Sequence, residues 1–220
     1  MFAVRMATMV LAVLSTGLIA GVFYAYAISV MPALARADDR TLIDVMQKIN
    51  VVIINPWFML GFMGTVGFTA LAAALHLGSD QRTALIWLGI ALVLNVIAFG
   101  VTVGLNVPLN DALAAAGDPA SIADTAAVRA DFEATWVRWN IVRAVLHTAA
   151  FLVLCGALFA AGVQQGKSNS TTDAVAGQSF AQVSGQAVAQ TGGPVAGQRF
   201  SQQPGSPAAG APYGQQHQRR

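Results

Sequence analysis

Trp136-Val137-Arg138-Trp139-Asn140-Ile141-Val142-Arg143, with His147 one turn further on, runs without a break into an apolar segment long enough to cross a membrane. On a helix, Trp136, Trp139, Asn140, Arg143 and His147 fall at i, i+3, i+4, i+7 and i+11, which is one continuous face. Two indoles, an amide, a guanidinium and an imidazole thus share a stripe at or just inside a bilayer surface. Polar and ionisable groups at that depth are costly, so they face a bundle interior or a wet cavity and mark functional candidates. The stretch points to an all-α membrane protein whose spans converge on this stripe.

The composition agrees. Of 220 residues, 55% are apolar and only 10% are charged, against roughly 25% charged in an ordinary soluble domain. The net charge of +2 is small and the basic residues form no patch, which argues against a nucleic-acid partner. The single cysteine, Cys155, excludes an internal disulfide, and no Cys/His cluster has metal-ligand spacing.

Four transmembrane helices are expected, over about 6–31, 56–77, 83–105 and 141–163, within a membrane domain of residues 1–163. No charge lies between Arg5 and Arg36, a stretch longer than the about 20 residues that cross a hydrocarbon core of about 30 Å. Ala33-Leu34-Ala35 resembles a signal-cleavage site, but a signal's apolar region is only about 7–15 residues. Gly17 and Gly21 form a pair that permits close helix approach in lipid, and Pro32 is expected to end the span. Residues 36–55 turn amphipathic: Asp38 and Asp39 open a helix on which Leu42, Val45, Met46 and Ile49 share a side. Asn50 follows it, and Asn55-Pro56-Trp57-Phe58 opens the second span. Asn95 sits mid-span in the third, where an amide most often bonds a neighbouring helix. Asn106 and Asn110 flank Pro108 and point the same way if the turn stays helical past it. Residues 111–130 read as a surface connection. Residues 164–220, rich in Gln, Gly, Ser and Pro, cannot bury enough apolar surface to offset ordering, and are expected to be disordered.

The order of span, proline-bearing exit, amphipathic connection, Asn/Trp entry and span occurs twice, which is the pattern of two tandem two-span hairpins. Four spans put the termini on one side and both long connections on the other. Tyr24, Tyr26, Trp57, Phe58, Trp136, Trp139, Asn50, Asn55, Asn106, Asn110, Arg138 and Arg143 then gather at one membrane face, with only Trp87 among the tryptophans at the other. An ordinary aromatic belt decorates both interfaces, so the lopsidedness points to a site, with anchoring as the alternative. Taken literally, the positive-inside rule puts the connections in the cytoplasm. Arg138 and Arg143 as site residues would leave the orientation open.

Met31-Pro-Ala-Leu, Met46-Gln-Lys-Ile-Asn50, Asn55-Pro-Trp-Phe58, Asn106-Val-Pro-Leu-Asn110 and Trp136-Val-Arg-Trp-Asn140-Ile-Val-Arg143 together resemble the anthrone-oxygenase-like (DUF1772) membrane proteins, over residues 5–163. The resemblance implies a small four-helix protein of the cell membrane. In some relatives it further implies oxidation of anthrones by molecular oxygen with no metal, flavin or other cofactor. Such chemistry needs a base, donors aimed at an enolate oxygen, and flat apolar walls. His147, Arg143 and Asn140 are the catalytic candidates, with His147 as the base. Trp57, Trp136 and Trp139 would flank a planar ring, and Asn50, Asn55, Asn106 and Asn110 would hold it. For His147 a helix-to-helix hydrogen bond is the competing role, and for Arg143 it is snorkelling to the interface. The partners expected are membrane lipid and a planar aromatic small molecule. The other function class that fits is a non-catalytic ligand or lipid binder, or an accessory subunit.

Overall fold

The two prolines expected to end spans do not end them. The computed structural model describes residues 2–78 and 81–191; Ser79 and Asp80 of the expected turn, and the expected tail beyond residue 191, lie outside the described residues. The elements run α1 (Phe2–Ala25), a π-helical turn (Tyr26–Val30), α2 (Met31–Leu34), α3 (Asp39–Val52), α4 (Pro56–Leu75), α5 (Arg82–Val101), a second π-helical turn (Thr102–Asn106), α6 (Val107–Ala115) and α7 (Thr125–Thr191). A proline inside an α-helix has no N–H to give, and its ring collides with the carbonyl four residues back. A π turn, bonded i to i−5, widens the helix at that point. The Met31 N–H donates to the Tyr26 carbonyl just before Pro32, and the Val107 N–H to the Thr102 carbonyl just before Pro108. The helices therefore continue, and Asn106 and Asn110 stay on one helical run. Both halves use one register: Phe23 or Phe99, then the π turn, then Pro32 or Pro108.

Among the described residues, four stretches are long and apolar enough to cross a bilayer: Phe2–Leu34, Pro56–Leu75, Arg82–Ala115 and Thr125–Ser184. The chain is an integral membrane protein. The first and third have 33 and 34 residues. At about 1.5 Å per residue each reaches about 50 Å, longer than about 30 Å of hydrocarbon, so part of each stands outside it.

Three layers of buried side chains tie the spans together. Met9 and Ala12 of α1 meet Ala72 of α4, Leu88 and Ala91 of α5, and Leu154, Ala157 and Ala161 of α7 at the terminal end. Ile19, Phe23, Phe62 and Ala144 form the middle layer. At the connection end Met31, Leu42, Ile43, Met46, Leu113, Phe132 and Trp136 pack α3 over α2, α6 and α7. Leu42, Ile43 and Met46 are fully buried, and at about 1.5–3 kcal/mol per buried side chain they hold α3 down firmly. Asp38 caps α3, its carboxylate accepting from the Thr41 N–H (3.0 Å) and hydroxyl (2.6 Å). From α7, Arg129 clasps Asp39 and the Ala35 and Ala37 carbonyls. Gly17 is where close approach is required: a Cβ there would lie 2.9 Å from the Phe151 ring, whereas one on Gly21 would meet nothing.

The chain divides into two units, residues 1–170 and 171–220. α7 continues through residues 164–191, and the described side chains beyond residue 170 are exposed. A helix closes its backbone hydrogen bonds within itself, so a polar stretch keeps them without burying a core.

Candidate functional site

Under α3 lies a cavity of about 300 Å³, at the small end of the about 300–1,000 Å³ usual for ligand pockets. Phe23 and Tyr26 line it from the first span, Phe58 and Phe62 from α4, Phe99 and Thr102 from the third span, and Trp136 and Arg143 from α7. Asn50 and Asn110 line it towards the connections. Phe58, Phe62 and Phe99 form a stack, with centroids 5.6 and 5.0 Å apart and planes within 17° of parallel. The wall is therefore flat and apolar, as a planar aromatic guest requires.

Arg143 is the one charged side chain among the described lining residues, and it is buried. Its guanidinium lies 4.0 Å from the centre of the Phe23 ring and 5.1 Å from that of Trp136. Asn140 Oδ1 accepts from Arg143 Nε (3.2 Å) and from one terminal nitrogen (3.0 Å). The Asn140 amide in turn donates to the Phe23 carbonyl at 3.0 Å. Among the described residues, the three ion pairs involve Asp39, Asp44 and Glu133, and none reaches Arg143. A buried cation held by a neutral amide and aromatic faces retains most of its charge for an incoming anion.

Trp136 is fixed from α6. Its indole N–H donates to Asn110 Oδ1 at 2.8 Å, and the Asn106 amide donates to the Trp136 carbonyl at 3.2 Å. Asn106 is fully buried and lies behind the indole, not in the cavity lining; its Oδ1 has no protein partner.

One turn deeper, all four spans meet at Asn95. Its Nδ2 lies 3.2 Å from Thr16 Oγ1, 3.0 Å from the Thr65 carbonyl and 3.3 Å from Thr69 Oγ1. Its Oδ1 lies 3.0 Å from His147 Nδ1. A carbonyl only accepts, so Thr65 fixes which end of the amide faces it. His147 must then donate from Nδ1, which leaves the lone pair on Nε2. That Nε2 is buried without a hydrogen-bond partner, and the ring packs 5.5 Å from Phe23. His147 makes the span-to-span bond and does not line the cavity.

The stripe that opened the sequence reading is thus divided. Trp136, Asn140 and Arg143 build the site, His147 sits beneath it, and Trp139 is half-buried outside the lining. Trp57, expected to flank a ring, is 84% exposed. Asn55, expected to hold one, caps α4 instead, its Oδ1 accepting from the Trp57 and Phe58 N–H groups at 3.1 Å each. Position 57 is in the first turn of α4, and the cap that starts the helix aims its indole outward. Tyr24 and Arg138 are also exposed. The sequence reading missed Phe62 and Phe99 as walls, and Thr16, Thr65 and Thr69 as partners of Asn95. The recurrence of phenylalanine ahead of each proline was the one signal for Phe99. Among the described residues, no three His, Cys, Asp or Glu side chains converge as a metal site would need.

Residues 57–153 match the anthrone oxygenase family. The match takes in Asn95, Asn106, Asn110, Trp136, Asn140, Arg143 and His147; Phe23, Tyr26 and Asn50 precede it. Comparison with curated proteins and with solved structures gives no match.

Proposed function

We propose that this multi-pass protein of the cell membrane, whose residues 57–153 match the anthrone oxygenase family, oxidises an anthrone-like polycyclic aromatic with molecular oxygen in the cavity beneath α3. The observation that carries the reading is Arg143: a buried cation with no acidic partner among the described residues, spread over two aromatic rings in an aromatic-walled cavity. An anthrone has an acidic methylene beside a ring carbonyl. Loss of one methylene proton gives an aromatic enolate, whose negative oxygen is the anion that Arg143 receives. Asn140 positions the guanidinium, and the stacked phenylalanines hold the ring system flat. The electron-rich enolate carbon reacts with oxygen directly. One oxygen atom becomes the new carbonyl, and the other leaves as water with the two methylene hydrogens. His147 does not line the cavity, so the first proton passes to a water molecule within the cavity, beside Asn50 and Asn110.

The test is quinone formation from a model anthrone under air by the protein in vesicles. Removing a donor aimed at a developing oxyanion typically lowers the rate by about a hundredfold or more, and Arg143→Gln is expected to do so. A rate no faster than protein-free vesicles sinks the enzyme reading. A non-catalytic binder is the second reading, and one observation favours it: no described lining residue is a neutral base. It expects the same aromatic to bind and remain unchanged.

A further inference from the structure

We infer that the cavity is loaded sideways from the bilayer, through a mouth between α4 and the second π turn, so that its substrate is an uncharged planar compound dissolved in lipid. The inference rests on the reading of this cavity as the site for a planar aromatic.

Three directions into the cavity can be compared. Towards water it is roofed by α3, whose Leu42, Ile43 and Met46 are fully buried against Met31, Leu113 and Trp136. Towards the bilayer centre, the layer of Ile19, Phe23, Phe62 and Ala144 forms a floor, each side chain no more than 5% exposed. Sideways the picture changes. Met63 of α4, Val103 of the second π turn, Val107 of α6 and Ile54 line the cavity. The same four are 43%, 51%, 40% and 71% exposed. Met63, Val103 and Val107 belong to helices long enough to span the bilayer, and the proposed mouth opens there to acyl chain. A neutral aromatic passing between acyl chains and these side chains leaves no polar group stranded on the way. A charged one would leave its hydration behind, at a cost of several kcal/mol or more. The single cation, Arg143, lies inside the mouth, where it meets charge that develops after entry.

A rival entrance exists at the headgroup level. A shallow groove shares Tyr26, Ile49 and Ile53 with the cavity and runs out past Val52 to Lys48 and Asn55. It would suit an anionic compound arriving from the membrane surface.

The experiment uses the full chain in vesicles and stopped-flow quenching of tryptophan emission by anthraquinone, read beside its water-soluble sulfonate. Four variants are compared with the parent: Met63→Phe/Val103→Phe to fill the mouth, Met63→Ala/Val103→Ala to widen it, Val52→Phe to fill the groove, and Val93→Phe on the exposed face of α5 as a control. Filling the mouth is expected to slow anthraquinone binding by about tenfold, and widening it to speed binding; the groove and control variants stay within about twofold. The sulfonate is expected not to bind. Slowing by Val52→Phe with an unaffected mouth variant, equally fast binding of the sulfonate, or no anthraquinone binding at all would overturn the inference. If the filled variant fails to fold, the widened one decides. Turnover of an anthrone separates the two claims. Loading through the mouth without turnover removes only the oxygenase reading, and turnover that ignores the mouth removes only the entry route.

Discussion

Replacing Asn95 with alanine is expected to be the most damaging single change in the lipid-embedded part of the protein. The amide touches three acceptors and the His147 ring, at 3.0–3.3 Å. Two amide hydrogens cannot fully serve three acceptors, so the group makes about three hydrogen bonds in effect. Inter-helix hydrogen bonds in lipid average about 0.6 kcal/mol each, which gives about 2 kcal/mol. The larger consequence falls on His147. Its Nε2 already lacks a partner, and losing the bond to Nδ1 would leave a fully buried imidazole wholly unpaired. An orphaned buried polar group costs about 1–3 kcal/mol, so Asn95→Ala should cost about 3–5 kcal/mol in total. The assay is reversible unfolding in mixed micelles containing dodecyl sulfate, followed by helicity. A double-mutant cycle with His147→Leu isolates the pair, because the double variant strands no imidazole. It should recover about 1–3 kcal/mol of the summed single losses. A loss below about 1 kcal/mol for Asn95→Ala, or strictly additive variants, would refute the idea that the four spans are clasped at this amide.

Three further outcomes are expected. Trp57→Ala should leave anthraquinone affinity within about twofold of the parent, since an indole 84% exposed does not meet the guest; a tenfold loss in equilibrium titration would return Trp57 to the site. Pro32→Ala restores an N–H and removes the clash that favours the π turn; closing that turn to α rotates Met31 by about 100°, so α3 should undock and hydrogen exchange across 39–52 should quicken. The hydrogen bonds from Thr41 hold the Asp38 carboxyl below the usual carboxylate range. Its folded pKa is thus lower than its unfolded one, so its support for α3 is complete above the unfolded value and fades as pH falls through the folded one. Exchange of the first amides of α3 should rise over that acid window in the parent and be insensitive to it in Asp38→Asn.

The fold class was legible because four apolar runs separated by polar connections admit few alternatives to helices in lipid. Trp136, Asn140 and Arg143 were legible for a related reason: one helix carries them at i, i+4 and i+7, and local periodicity needs no knowledge of neighbours. What stayed hidden depends on which side of a span faces protein. In water the inner face of a helix is marked by its apolar stripe. In lipid the outside is as apolar as the inside, so nothing in α4 separated Phe62, which walls the cavity, from Leu60, which is exposed. Trp57 and Asn55 lie outside the cavity lining for a different reason: a helix-start signature and a ligand-binding signature use the same residue types, and here Asn55 caps α4. Asn95 and His147 were visible as polar groups in apolar runs, but their pairing across 52 residues of sequence is tertiary information. Pro32 and Pro108 read as stops because the usual penalty assumes an α-helical turn, and a π turn removes the clash.

The central claim is that Arg143, in an aromatic cavity beneath α3, drives oxidation of a planar aromatic by molecular oxygen. It is tested most directly by mass analysis of the quinone formed from an anthrone in vesicles under isotopically heavy oxygen gas. The expected result is a single heavy atom at the new carbonyl, formed by the parent protein and largely lost in Arg143→Gln. Unlabelled quinone, or labelled quinone formed equally fast by the variant and by vesicles without protein, would contradict it.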